Sequence, residues 1–213
     1  MKRLFPLAAG LWLCMIPWAE AQDAAGILSG TTAALDRLQS LTASFSLHTQ
    51  SAASSVGERS EGVIHLQGEK FTLSVPGMKI WYDGLTQWVY SEQTGEVSVS
   101  NPQGEDLLTA NPVLLFTSSP GEYIAAYRGE ATALGGQAVY VIELRPGKPS
   151  NTLRIELQIE KQTSLPLRIR MESKNKLTHT IHLGRIQTDR KRPADFFTFS
   201  PADYPEAEVI DLR

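Results

Sequence analysis

The sequence predicts a mainly β fold with a helical lid: an unclosed antiparallel β-barrel, or half-barrel, of about eleven strands. An N-terminal helix and a mid-chain helical insert are expected to cover it. Short runs with an apolar residue at every second position recur between turn residues from about residue 44 onward, which is typical of half-buried strands. So many consecutive antiparallel strands must curl, because an open twisted sheet of that size rarely stays flat. One apolar run, residues 107–116, interrupts the alternation.

The N-terminal residues are predicted to be a signal peptide rather than part of the fold. Lys2 and Arg3 precede an apolar run at residues 4–18 that is too short to span a membrane comfortably. Ala19-Glu20-Ala21 then gives a small-x-small cleavage pattern. We therefore expect cleavage after Ala21, with residues 22–213 forming a single domain.

The only cysteine, Cys14, lies inside this segment. A lipoprotein signal is the alternative, but such signals need a small residue before the cysteine, and Leu13 stands there. Without residues 1–21 the chain has no thiol for a disulfide, a nucleophile or a thiolate metal site. It carries 18 basic and 22 acidic residues, a net charge of −4. This mild acidity argues against nucleic acid as a partner.

The first element predicted is an amphipathic helix within residues 23–41. Apolar residues recur there at spacings of three, four and seven, with polar residues between them. One apolar stripe is therefore available to pack on another element. The positions are Ile27, Leu28, Ala34, Leu35, Leu38 and Leu41.

Residues 62–102 are predicted to be the centre of the sheet. An Asp83-Gly84 pair lies between two aromatic, β-branched runs, Trp81-Tyr82 and Trp88-Val89-Tyr90. Asp-Gly favours a two-residue hairpin turn in which both positions have positive φ. Further strands are expected to follow from about residue 123 to residue 188.

The apolar insert is predicted to contain a helix with Asn111 as its N-cap and Pro112 at its first helical position. A short apolar helix inserted into a β-meander either plugs a core or covers an opening. The aromatic side chains of residues 71–90 leave the same choice open, since they could fill a core or line an apolar cavity. The apolar insert favours the covered cavity.

No residue pattern indicates catalysis, a metal or a cofactor. His179 and His182 are three apart on a predicted strand and so point to opposite faces. No Gly-x-Ser-x-Gly elbow occurs, and Asp83 is explained by its turn. We therefore predict that the protein is not an enzyme.

Four segments, taken in order and spacing, carry a resemblance that extends over nearly all of residues 22–213. They are a helix running into Leu41-Thr42-Ala43-Ser44-Phe45, Gly62-Val63-Ile64-His65-Leu66 leading to Phe71, Tyr82-Asp83-Gly84 followed by Trp88-Val89-Tyr90, and Phe197-Thr198-Phe199 followed by Val209-Ile210-Asp211. The chain resembles the LolA-like family of periplasmic carriers of outer-membrane lipoproteins.

The resemblance implies a periplasmic chaperone that shields lipoprotein acyl chains in a hydrophobic cavity. It would be a monomer that receives its cargo from an inner-membrane lipoprotein-releasing transporter and passes it to an outer-membrane acceptor. Family relatives differ in cargo, so a carrier of another envelope lipid or glycolipid remains an alternative. A third possibility is an envelope-stress sensor or structural module whose interior is a filled core.

The resemblance also implies which residues would bind acyl chains. The cavity wall would be formed by Phe45, Leu47, Ile64, Leu66, Phe71, Leu73, Trp88 and Tyr90, and the underside of the lid by Leu107, Leu108, Val113, Leu114, Leu115 and Phe116. Gln67 stands where the best-known members have an arginine that latches the lid. An amide offers fewer donors and no charge, so this latch would differ here. A slip of one residue along a strand would reverse every inward assignment.

Overall fold

The structure, a computed structural model, describes residues 24–53, 57–104, 106–107, 122–188 and 190–213. The predicted signal peptide and all of the predicted insert except Leu107 lie outside these residues. The described part of the chain contains the helix α1 and twelve strands.

The helix α1 spans Ala24–Arg37, shorter at its C-terminal end than the predicted segment. The strands are β1 (Leu41–Ser51), β2 (Glu58–Gln67), β3 (Lys70–Val75), β4 (Met78–Tyr82), β5 (Gln87–Ser91), β6 (Glu96–Ser100), β7 (Tyr123–Thr132), β8 (Ala138–Pro146), β9 (Thr152–Glu160), β10 (Pro166–Ser173), β11 (Leu177–Thr188) and β12 (Glu208–Asp211).

All twelve strands belong to one sheet in the order β12-β6-β5-β4-β3-β2-β1-β11-β10-β9-β8-β7. Among the described residues β7 and β12 form the two edges, so the barrel is unclosed as predicted. The prediction of about eleven strands in meander order needs correction. The chain returns to pair β11 with β1, and a twelfth strand, β12, pairs parallel with β6.

This topology explains why the alternation breaks after β6. That strand lies near one edge of the sheet, whereas β7 forms the opposite edge, so residues 101–122 must connect distant parts of the sheet. The two described residues in the middle of this connection lie on a single face. Asp106 borders a cavity there, and Leu107 packs against the main hydrophobic core.

We call this face the inner face. It carries alternate residues of every strand from β1 to β4 and from β8 to β11, and the side chains form one continuous core with α1. Strands β4 and β9 are six positions apart, about 29 Å in a flat sheet at about 4.8 Å per strand. Ile80 of β4 and Thr152 of β9 nevertheless line the same cavity, so the sheet is strongly curled.

The outer face of β3–β6 is covered by the C-terminal residues. Two 3₁₀ turns, Ala194–Phe197 and Pro201–Asp203, lead into β12. The Trp81 ring centroid lies 5.6 Å from that of Phe199 and 5.5 Å from that of Tyr204. A second, smaller aromatic layer therefore forms on the side of the sheet away from α1.

The turn at Asp83-Gly84 also differs from the two-residue hairpin that the sequence predicts. Tyr82 and Gln87 form the last β4–β5 pair, so the loop has four residues. The Asp83 carboxylate accepts hydrogen bonds from the main-chain N–H groups of Leu85 (2.9 Å) and Thr86 (2.8 Å). Only Gly84 has a positive φ, 103°. Because the carboxylate closes the turn, a second positive φ is not required.

Candidate functional site

The inner face holds a cavity of about 690 Å³. The sequence left open whether the interior is filled or hollow, and the described residues leave a space of this size open. Side chains from β1–β4 and β9–β11 surround the space. The lining residues are Phe45, Leu47, Thr49, Ser60, Leu73, Val75, Met78, Ile80, Asp106, Asn151, Thr152, Met171, Ser173, Asn175, His179 and Ile181.

The cavity occupies one end of the curled sheet, and α1 occupies the other. At the α1 end, Leu35 of the helix meets Leu41, Leu66 and Ile186 of three strands, and almost no empty space remains there. From Phe45 onward the inner face of β1 is no longer filled by helix side chains and faces the cavity instead. The helix therefore closes one end of the barrel.

Three of the predicted acyl-chain residues, Phe45, Leu47 and Leu73, line the cavity. Gly62 helps to place one of them, because it faces Phe45 in the β1–β2 pairing. A Cβ atom at position 62 would lie 2.6 Å from the Phe45 ring and 2.4 Å from the Ser74 carbonyl oxygen. The absence of a side chain at Gly62 thus lets the Phe45 ring lie across β2.

Three other predicted residues, Ile64, Leu66 and Phe71, lie on the inner face but belong to the packed core toward α1. They are 3%, 4% and 0% exposed. Leu107 is half-buried against the same core. The remaining lid predictions, Leu108, Val113, Leu114, Leu115 and Phe116, lie outside the described residues.

Trp88 and Tyr90 correct the predicted wall of the cavity, because they lie on the outer face. Trp88 pairs with Trp81, whereas Val89 pairs with the cavity residue Ile80. The Tyr90 ring centroid is 4.7 Å from that of Tyr204. The prediction for β5 is therefore wrong by one residue, so its inward-facing and outward-facing side chains are exchanged.

Gln67 also points to the outer face, one residue beyond the inward Leu66. Its Oε1 accepts a hydrogen bond from the Arg192 main-chain N–H (2.8 Å), and its Nε2 donates to the Arg192 carbonyl oxygen (3.4 Å). In the described part of the chain Gln67 therefore fixes the segment that leads into the C-terminal layer. A carboxamide suits this role because its oxygen accepts from the main-chain N–H of Arg192 while its nitrogen donates to the carbonyl oxygen of the same residue.

Five apolar lining residues were missed in the sequence: Val75, Met78, Ile80, Met171 and Ile181. A usable signal was present, because Leu167, Ile169 and Met171 alternate with charged residues and so identify the inward face of β10. What the sequence lacked was the β1–β11 pairing, which joins Leu47 to Ile181 across more than half the chain. Local periodicity cannot supply such a contact.

His179 is the titratable side chain deepest in the polar part of the lining. Its Nδ1 lies 3.0 Å from the Thr49 hydroxyl oxygen, within hydrogen-bond distance. Burial lowers the pKa of His179, so the ring is neutral at neutral pH. On the outer face, burial and then the charges of Arg168 and Arg59 lower the pKa of His182.

Lowering the pH from about 7 to about 5 is expected to reduce the free energy of unfolding, because both histidines bind protons more readily in the unfolded chain. Their folded-state pKa values lie below the ordinary 6.5. Their contribution is therefore present above that value and is lost as the pH falls through the folded-state values. Urea unfolding of a double variant, His179→Gln with His182→Gln, should show a flatter pH dependence in this window.

The same titration contains an internal control at lower pH. Hydrogen bonds from Arg128 and Arg154 lower the pKa values of Glu143 and Glu172 below the ordinary 4.5. The stability that these carboxylates contribute is present above 4.5 and is lost below it, in the variant as in the parent. A double variant that retained the parent's slope between about pH 7 and about pH 5 would contradict the assignment.

Glu143 and Glu172 belong to an ion-pair network on the outer face of β7–β10. Glu143 accepts hydrogen bonds from Arg128 (2.7 Å) and Arg145 (2.8 Å), and Arg154 binds Glu172 through two nitrogens at 2.7 and 2.9 Å. Each group in this network has an oppositely charged partner, so the cluster joins neighbouring strands. Its position on the outer face separates it from the cavity.

Among the described residues, no group of three or more His, Cys, Asp or Glu side chains is arranged to hold a metal ion. Within the same residues, no helix is both long and apolar enough to cross a membrane. The cavity wall consists of aliphatic, aromatic, thioether, hydroxyl and amide groups, with one carboxylate and one imidazole. Such an arrangement can bind an amphiphile through apolar contact and hydrogen bonds.

Comparison with known proteins gives the following matches. The family model described as outer membrane lipoprotein carrier protein LolA matches residues 17–173. An uncharacterized conserved protein from Thermus thermophilus has a similar structure, with a TM-score of 0.61, 13% identity and coverage of 89% of this chain and 99% of that one. A LolA superfamily protein from Nitrosomonas europaea has a TM-score of 0.48 and 14% identity, with 83% and 97% covered. No curated protein sequence matches the chain.

Proposed function

We propose that this chain, which belongs to the outer membrane lipoprotein carrier protein LolA family, is a carrier that shields acyl chains in its inner-face cavity. The observation that carries this proposal is an apolar space of about 690 Å³. That volume lies within the range of roughly 300–1,000 Å³ typical of small-molecule pockets. Phe45, Leu47 and Ile181 form part of its apolar wall.

The energetics of an exposed acyl chain support a carrier. Burying a methylene group is favourable by about 0.8 kcal/mol, so ten methylenes in water cost about 8 kcal/mol. A lipid-bearing protein crossing an aqueous compartment therefore needs a container for its chains. The cavity supplies apolar contact, and no covalent chemistry is required.

The finer proposal is that the cargo is a lipoprotein and the compartment is the periplasm. The chain would collect a lipoprotein from an inner-membrane releasing transporter and deliver it to an outer-membrane acceptor. The family description names this cargo class. The predicted signal peptide at residues 1–21 is consistent with export.

The first experiment measures retention of a lipoprotein by the purified protein. We expect the lipidated form to co-elute with the chain in size-exclusion chromatography and the delipidated form to elute alone. Equal retention of both forms would show that the acyl chains are not what is recognised.

Filling the cavity is expected to abolish this retention. Ile181 lines the cavity and is half-buried, so Ile181→Trp should displace at least two methylenes of a bound chain. At about 0.8 kcal/mol each, this loss corresponds to a roughly tenfold or greater drop in affinity. Isothermal titration with a long-chain lipid measures the change.

Thr180→Trp is the matched control. Thr180 is the next residue along β11 and points to the outer face, opposite Arg170 and His48. The same bulky side chain is thus placed on the same strand but away from the cavity. Similar losses for both variants would locate the ligand elsewhere or indicate a general effect of the substitution on folding.

The identity of the cargo is a separate measurement. Native mass spectrometry of protein taken from cells reports the mass of any bound species. A mass of a lipid or glycolipid, rather than that of a lipoprotein, would favour the alternative carrier of another envelope lipid.

A further inference from the structure

The cavity has an apolar part and a polar end, and the polar end indicates what kind of head group a ligand would present there. The polar lining residues lie where β1 and β10 end and where β2, β9 and β11 begin, at the end of the sheet away from α1. We call these residues the polar rim. They are Thr49, Ser60, Asp106, Asn151, Thr152, Ser173, Asn175 and His179.

The polar rim is rich in neutral hydrogen-bonding groups. Two carboxamides, Asn151 and Asn175, are exposed, whereas the hydroxyl residues Thr49, Ser60 and Ser173 are partly buried. Amide and hydroxyl groups both donate and accept hydrogen bonds, so they suit ester, amide and hydroxyl groups of a ligand.

An anionic head group would need a cation in the lining, and the described lining does not provide one. Of the described residues that line the cavity, none is lysine or arginine, and Asp106 contributes a carboxylate. An anion placed in this lining would be partly desolvated without a cation to compensate it.

Three cationic residues come close to the polar rim in sequence but do not line the cavity. Arg59 precedes Ser60, is exposed, and borders a second pocket that shares Leu47, Thr49 and Ser60 with the cavity. Lys174 and Lys176 flank Asn175 in the β10–β11 turn, and both are exposed. Charges on such side chains are screened by water and salt, so they attract an anion only weakly. They therefore add no cation to the lining itself.

From this distribution, and resting on the proposed function, we propose that the cavity selects acyl-chain ligands with an uncharged, hydrogen-bonding head group over anionic phospholipids. The aliphatic wall would hold the chains, and the polar rim would bind glycerol hydroxyl, ester or amide groups. A carrier with this preference would reject the anionic phospholipid that surrounds its cargo in a membrane.

Competition between two lipids with identical chains tests the selection. Dioleoylglycerol and dioleoyl phosphatidate are each used to displace a bound apolar fluorophore from the purified protein. We expect dioleoylglycerol to displace the fluorophore at a concentration at least about fivefold lower. Equal displacement, or tighter binding of phosphatidate, would overturn the selection while leaving acyl-chain binding intact. If neither lipid displaces the fluorophore, the proposed function fails together with this inference.

Adding a cation to the polar rim should reverse the preference. In Asn175→Lys the ammonium group belongs to a residue that lines the cavity, unlike Lys174 and Lys176, so it can contact the phosphate directly and phosphatidate binding should strengthen about fivefold or more. Asn175→Gln is the matched control, because it keeps the carboxamide and should retain the preference of the parent. Ile181→Trp should weaken both lipids alike. An unchanged preference in Asn175→Lys would contradict a role for the charge of the polar rim.

Discussion

Phe71→Ala is expected to lower the free energy of unfolding by about 3–5 kcal/mol, the usual cost of truncating a fully buried phenylalanine. The Phe71 side chain is 0% exposed in the inner core, and its ring centroid lies 5.3 Å from that of Tyr82. Truncation leaves a void that strand neighbours on a paired sheet cannot collapse into. Urea unfolding followed by circular dichroism measures the loss.

Leu73→Ala is the matched comparison, two residues along the same strand and on the same face. Leu73 is half-buried and already borders the cavity, so its truncation enlarges an existing space rather than creating a new one. We expect a loss of at most about 2 kcal/mol, because the lost contacts are fewer. Equal losses at both positions would mean that Leu73 is packed as core, and that the cavity does not reach β3.

The contrast between these two residues shows what could be predicted from the sequence of the inner face. The residues of β2 and β3 that were predicted to face the cavity, Ile64, Leu66, Phe71 and Leu73, all lie on the inner face. Alternation could not divide core from cavity. That division depends on where α1 ends along the curled sheet, which is a tertiary property.

The error at Trp88 and Tyr90 has a different physical cause. In β5 Trp88 and Tyr90 form the apolar alternating set, whereas Val89 shares its face with the polar residues Gln87 and Ser91. Alternation alone therefore favours placing the two aromatic residues inward. The larger side chains face outward because residues 196–204, about a hundred positions later in the chain, cover them. Periodicity reports that a face is buried without identifying the segment that buries it.

Gln67 was singled out by the resemblance, but the contact it makes in the structure is a different one. The resemblance marked this position as a lid latch, whereas its described hydrogen bonds go to the main chain of Arg192. The two residues are 125 positions apart. No spacing rule connects them, because the contact exists only once the C-terminal segment has crossed the outer face.

Phe197→Ala is expected to detach this outer layer at a cost of about 3–5 kcal/mol in the free energy of unfolding. Phe197 is 0% exposed, and its ring centroid lies 5.2 Å from that of Phe196. Without the Phe197 ring, the segment that holds Phe199 and Tyr204 against Trp81 loses its most buried anchor.

Intrinsic fluorescence reports this layer selectively, because Trp81 and Trp88 are the only tryptophans in the sequence after residue 21. Trp81 is 4% exposed, so loosening of the C-terminal segment should shift the emission to longer wavelength before the sheet unfolds. Phe196→Ala is the control: this ring is only half-buried beside His65, and a loss of about 1–2 kcal/mol is expected. If Phe197→Ala leaves both stability and emission unchanged, the C-terminal residues do not stabilise the sheet, and the outward aromatic residues of β4 and β5 would be available to a partner.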